Sequence, residues 1–308
     1  MKMQSSLVGA TLILTLSLQS FVAGAALDGA RIDQITGLKG KLNEKEGVYK
    51  VTFPRSDVKV SVDGWQLPPF MGLGTWAAFK GTNEKAIMMG DTVLFQDEVN
   101  PVISVALENG LQVTALHNHF FFDEPKVYFM HIEGEGQLDR LALGLDKIYE
   151  EIKRIRAIDP QPKTSFGQKS LGETNSISVA PLNEIFGLQG EAKDGMAKFT
   201  LGKKSSMHGF QIEKEMGVNT WAAFAGTDDN AVVDGDFVVT EDELQSVLKA
   251  LRTSKINIVA IHQHMTHEQP RMIFFHYWGR GSAKELAEAI KGGFIVTGLL
   301  QASSPSNP

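Results

Sequence analysis

The run Thr75-Trp76-Ala77-Ala78-Phe79, followed by Gly81-Thr82, returns as Thr220-Trp221-Ala222-Ala223-Phe224, followed by Gly226-Thr227. The offset, 220 minus 75, is 145 residues. The same step carries Gly90-Asp91 onto Gly235-Asp236 and Asp97-Glu98 onto Asp242-Glu243. It also carries His117 onto His262, His119 onto His264, Pro125 onto Pro270 and His131 onto His276, with no gap. Upstream, Ile35-Thr36-Gly37-Leu38-Lys39-Gly40 resembles Ile185-Phe186-Gly187-Leu188-Gln189-Gly190 at a step of 150. Self-similarity on this scale means that one structural unit has been duplicated in tandem.

Each copy reads in the same order. Trp76 to Phe79 and Ala86 to Phe95 are short apolar runs with Gly81 and Asn83 between them, which predicts a hairpin. A helix follows. In the second copy Thr240 and Glu243 form a capping box, and Leu244, Val247, Leu248 and Leu251 recur at helical spacing. In the first copy Pro101 is expected near the helix start, where a missing donor is tolerated, with Gly110 ending the helix. Residues 111–120 and 126–133 are rich in β-branched and aromatic residues and read as adjacent antiparallel strands. A closing helix starts near Leu138, and in the second copy Ser282 and Glu285 make another capping box. The unit is ββαββα, so the fold class is α+β: a tandem duplication with an antiparallel sheet and helices on one face. The copies span 26–156 and 179–301. Between them, 157–178 is a polar linker carrying Pro160, Pro162, Gly167 and Gly172, and 302–308 is expected to be a disordered tail.

The chain has 308 residues, 43% hydrophobic and 21% charged, the balance of a globular protein. Its formal net charge of −6 excludes the dense basic surface that a nucleic-acid partner requires. Lys2, the apolar stretch Leu7 to Leu18 and Ala23-Gly24-Ala25 read as a cleavable signal over residues 1–25. The alternative is an uncleaved anchor, but the stretch is shorter than the ~20 residues of a spanning helix. A periplasmic or secreted location, with no stable membrane span after cleavage, is the expectation. There is no cysteine, so neither disulfides nor thiolate metal sites arise.

Seven of the eight histidines fall in the two equivalent strand pairs, His208 being the exception. On a strand, His117 and His119 share a face about 6.6 Å apart, and His131 on the next strand can complete a cluster. His262, His264 and His276 repeat the set, and His267 joins it in the turn. Three neutral imidazoles with an open fourth position are the donor set of a catalytic zinc ion, although imidazole also suits copper, iron and nickel. Glu124 or Glu268 in the turns would be a further ligand or the general base of a metal-dependent hydrolase. Three alternatives stand beside this: histidines that only hydrogen-bond within the sheet, two HxH motifs meeting across a pseudo-twofold interface, and a non-enzymatic envelope module binding a small molecule, glycan or protein between the copies. Trp76 and Trp221 read as core, Asp91 and Asp236 as turn or bulge residues after glycine with a carboxylate facing the histidine cluster as the alternative, and Asp97-Glu98 as a negative helix start.

The block Ala115-Leu116-His117-Asn118-His119-Phe120, the sequel Pro125 through Phe129-Met130-His131, and the Thr-Trp-Ala-Ala-Phe element resemble the LppY/LpqO family, a bacterial exported domain of unknown function. The resemblance covers both copies and implies a bacterial envelope or secreted protein. Lipoprotein members carry a lipidated cysteine, which this sequence lacks.

Overall fold

The computed structural model describes residues 27–168 and 170–301; the segment read as a signal and the tail read as disordered lie outside them. The first repeat runs α1 (Gly29–Thr36), β1 (Lys41–Asn43), β2 (Val48–Pro54), β3 (Ser61–Val62), β4 (Trp65–Gln66), β5 (Gly74–Gly81), β6 (Ala86–Phe95), α2 (Gln96–Glu108), β7 (Gln112–His117), β8 (Asp123–Glu124), β9 (Val127–Gly136) and α3 (Leu138–Ile158). The second repeats it as α4 (Val179–Phe186), β10 (Glu191–Lys193), β11 (Met196–Gly202), β12 (Ser205–Met207), β13 (Phe210–Ile212), β14 (Asn219–Gly226), β15 (Ala231–Thr240), α5 (Glu241–Thr253), β16 (Asn257–His262), β17 (Glu268–Gln269), β18 (Met272–Gly281) and α6 (Ala283–Val296).

The ββαββα order is what forms, as the hairpin β5–β6, helix α2, the pair β7–β9 and helix α3. Each repeat adds a short leading helix, a strand pair at the outer edge, and a three-stranded ribbon, β4-β3-β8 or β13-β12-β17. The capping box of α5 is made: Glu243 accepts from the Thr240 N–H at 2.7 Å while Leu244, Val247, Leu248 and Leu251 are buried. Pro101, however, lies inside α2 rather than in its first turn. Glu98 accepts the Phe95 N–H at 2.9 Å and so starts the helix earlier than the proline suggests.

Twelve strands form one antiparallel sheet, because β7 of the first repeat pairs with β16 of the second. The paired residues are Leu116 and Ile261, each other's equivalents at the 145-residue step, so a pseudo-twofold axis passes between them. Away from that point the two edges part, and helix side chains satisfy them. Asn100 of α2 accepts from the Ile258 N–H at 2.7 Å and donates to the Ile258 carbonyl at 3.1 Å. Gln245 of α5, the equivalent of Asn100, accepts from the Val113 N–H at 2.9 Å and donates to the Val113 carbonyl at 3.0 Å. Each amide thus stands in for a missing strand and locks one repeat to the other. Replacing both Asn100 and Gln245 by leucine should cost roughly 1–2 kcal/mol per site, since a donor and an acceptor lose their partners at each. Urea unfolding measures it, and a total below about 1 kcal/mol would contradict this role.

Facing residues on antiparallel neighbours share a side of the sheet. Leu116, Met130 and Ile132 face the helices, in a core with Val102, Ala106, Leu141 and Leu145. His117, Phe129 and Val93 face the other way, where the ribbon covers Val93 and Phe129 with Val60 and Leu67. The helices therefore cover one face, and the histidine side is left to the ribbons and solvent.

Candidate metal centre

In the second repeat the register aligns Trp221, Asp236, His276 and Ala260 across four strands, on the face away from the helices. In the first it aligns Trp76, Asp91, His131 and Ala115. His262 and His117 end their strands on that same face. The HxH spacing predicts that His264 and His119 share a strand with His262 and His117, but they lie off the strands, each two residues beyond a strand end. What aims them is stacking: the His264 ring lies 3.5 Å from the Phe274 ring, 11° from parallel, and His119 lies 3.3 Å from Phe129, 5° from parallel.

The imidazoles of each repeat converge. His262 is 5.1 Å from His264 and 5.0 Å from His276 between ring centroids; His117 is 5.2 Å from both His119 and His131. These ring contacts stay within a repeat, so the six histidines form two clusters flanking the axis. One ligand atom from each of Asp236, His262 and His264 lies within 4.8 Å of the others, and among the described residues only this group comes so close. His264 Nε2 is 3.4 Å from Asp236 Oδ2, and His276 Nδ1 is 3.3 Å from the Gly235 carbonyl oxygen.

Asp91 and Asp236 correct the sequence reading, since they lie mid-strand rather than in turns. The glycine before Asp236 serves close approach. A Cβ there would sit 2.1 Å from the Tyr277 hydroxyl, which donates to the Trp221 carbonyl at 2.9 Å. Two-residue alternation along β6 and β15, together with the shared step, was the signal available for these carboxylates. Trp76 and Trp221 are likewise half-buried on the open face rather than core, with Lys50 Nζ 4.1 Å and Lys198 Nζ 4.4 Å from their ring centres.

The turn carboxylates stand apart from this group. Glu268 is buried and accepts from the Met272 N–H at 3.0 Å, and Glu124 is exposed on β8. The counterpart of Glu268 is Asp123, which accepts from the Val127 N–H at 2.7 Å, so this position fixes the turn in both repeats. His267 is also outside the cluster: its ring lies 5.9 Å from that of His208, with both residues at positive φ in neighbouring turns.

Burial holds the His262, His264 and His119 imidazoles below their ordinary pKa, aided by their histidine neighbours, which keeps them neutral donors. Burial pushes the Asp91 carboxyl up, and the Asp236 carboxyl up to about 7, against the opposing pull of the histidines. Asp91 Oδ1 and Asp236 Oδ1 are both buried without a hydrogen-bond partner. A desolvated carboxylate oxygen with no donor is costly, and here the same orphan occurs in both repeats beside neutral imidazoles. Two imidazoles and a carboxylate with open positions fit a divalent transition-metal ion.

Fold and site together define a duplicated α+β protein with a histidine–carboxylate group on the open face of a shared sheet. The chain belongs to the family described as Domain of Unknown Function (DUF1259), whose model matches residues 30–151 and 180–294, one match per repeat. No curated protein matches it. Among solved structures, a double ringed trimeric shell protein from the RMM microcompartment aligns over 72% of this chain and 86% of its own, at 11% identity and a TM-score of 0.16. No helix among the described residues is long and apolar enough to cross a membrane.

Proposed function

We propose that this is an exported metal-binding protein that holds a divalent transition-metal ion, zinc first, on Asp236, His262 and His264, with His276 as neighbouring donor. Asp91, His117, His119 and His131 form the corresponding, looser group. The partnerless buried carboxylate oxygen, present in both repeats, carries this proposal. A bound cation would supply the compensation that the fold withholds. Export is supported by the signal pattern at residues 1–25 and by the LppY/LpqO resemblance. Glu268 stands outside the group of Asp236, His262 and His264, and Glu124 is exposed on β8, so binding rather than hydrolysis is the function proposed.

Metal analysis of tag-free protein, followed by calorimetric zinc titration, tests it. Wild type should bind zinc, and Asp236→Asn and His262→Ala should each weaken binding at least about tenfold, a loss that even a group hydrogen-bonded to a ligand usually causes. Asp91→Asn should affect a second, weaker site. Negligible zinc binding by wild type, or equal affinity in the Asp236→Asn variant, would reject the site.

A further inference from the structure

Where β7 ends, β16 runs on beside the first turns of α2, and the linker crosses above. Beneath Phe166 of the linker lie two adjoining cavities of about 670 and 430 Å3, which share Phe166, Trp278, Asn100 and Asn257. Both volumes fall in the range of small-molecule sites, roughly 300–1,000 Å3. The larger is lined by Arg252 and Arg280; the smaller reaches His276 of the histidine cluster.

The duplication supplies an internal reference. Stepping back 145 residues, Trp278 corresponds to Glu133, Arg280 to Glu135 and Arg252 to Leu107. Three positions that surround one cleft in the second repeat thus exchange two carboxylates and an aliphatic chain for an aromatic ring and two guanidinium groups. One cleft alone receives the linker, because the chain crosses between the repeats once. The first repeat keeps the scaffold and lacks this chemistry.

Arg252 is the telling group. Its Nε donates to Ser104 Oγ at 3.0 Å and its Nη1 to the Ile256 carbonyl at 2.7 Å, with no carboxylate partner among the described residues. Burial pulls its pKa down to about 10, the mark of a cation without a counter-charge. The one carboxylate lining the larger cavity, Asp97, is paired with Arg156. An arginine offers a planar fork that suits a carboxylate, and Trp278 and Phe166 offer faces to a flat ring.

We infer that this cleft is a binding site for a small planar aromatic carboxylate, with its ring between Trp278 and Phe166 and its anionic group at Arg252 and Arg280. The site does not require the metal ion, although its far end adjoins His276.

Calorimetry on the full chain with 2-naphthoate, its uncharged analogue 2-naphthamide and inorganic phosphate tests this, in EDTA and again with zinc. Naphthoate should bind at least about tenfold more tightly than either other probe. Trp278→Glu and Arg280→Glu, which restore the first-repeat residues, should each weaken naphthoate at least about tenfold, and Arg252→Gln likewise. Thermal melts of the three variants separate lost binding from lost folding, and Trp278→Ala, at a half-buried position, is the fallback should Arg252→Gln fail to fold. Naphthoate bound no better than naphthamide, or unaffected by the Trp278 and Arg280 changes, overturns the inference. Binding that persists in EDTA upholds it even if the zinc site fails; loss of naphthoate binding with intact zinc binding rejects the cleft alone.

Discussion

Glu98→Ala is expected to cost about 3–5 kcal/mol of folding stability, the usual penalty for removing one partner of a buried ion pair. Glu98 is fully buried, and its two oxygens accept from Arg55 Nη1 and Nη2 at 2.8 and 2.9 Å. Arg156 Nε stands 3.0 Å from the same carboxylate. The Arg55 side chain has no solvent exposure, so truncating Glu98 leaves its guanidinium in the interior with one carboxylate, the part-exposed Asp57, beside the Val93 carbonyl and the Phe95 ring. It also removes the acceptor that begins α2 at Phe95. The second repeat offers a control. There Glu243 pairs with Lys203, and their side chains keep 24% and 17% of their exposure, so Glu243→Ala should cost clearly less. Urea unfolding of both variants decides it: similar losses, or a Glu98 loss under about 1 kcal/mol, would show that the buried network contributes little.

Zinc at about a thousandfold excess over its dissociation constant should stabilise the protein by about 4 kcal/mol, on the order of 10 °C in Tm for a chain of this size. The gain should grow with pH, and its sign follows from the carboxyl. In the metal-free protein the Asp236 pKa is raised to about 7, so its protonated form favours the fold below the ordinary carboxyl range. That contribution disappears as pH rises toward about 7, leaving a desolvated anion that the ion then neutralises. His262 and His264 act in the same direction. Their depressed pKa values make protonation, and loss of the donor set, a low-pH event. Melting curves with and without zinc at about pH 5.5 and about pH 7.5 should show the larger increment at the higher pH. The difference should shrink in Asp236→Asn, where only the imidazoles still couple zinc binding to pH. An increment that is equal at both pH values, or a difference undiminished in that variant, would sink the linkage.

The repeating unit was readable because its evidence is local and doubled. Hairpin, capped helix and strand pair each leave their own pattern, and the 145-residue step shows every pattern twice. The union of the repeats was not readable in the same way. Leu111 to Phe120 is as apolar as a central strand, and no pattern says that its outer neighbour is Ile261 of the other repeat. The residues that enforce the union, Asn100 and Gln245, are ordinary polar positions on helices. At the site, the imidazoles were legible from spacing, but alternation on a strand was the wrong reason for His119 and His264, which are aimed by phenylalanine rings. Asp236 reads first as a turn or bulge residue and only second as a carboxylate facing the histidines, because glycine before aspartate is also the chemistry of a turn. Only the register against His276 reveals that this glycine makes room for Tyr277.

The Leu116–Ile261 junction has the geometry of a symmetric dimer contact, yet both sides belong to one covalent chain. Its strength is consequently indifferent to dilution, because the tether holds each half at a fixed local concentration near the other. In a true homodimer every substitution appears on both sides of the axis at once. Here each half mutates alone, so one copy is free to acquire new chemistry while its twin preserves the frame.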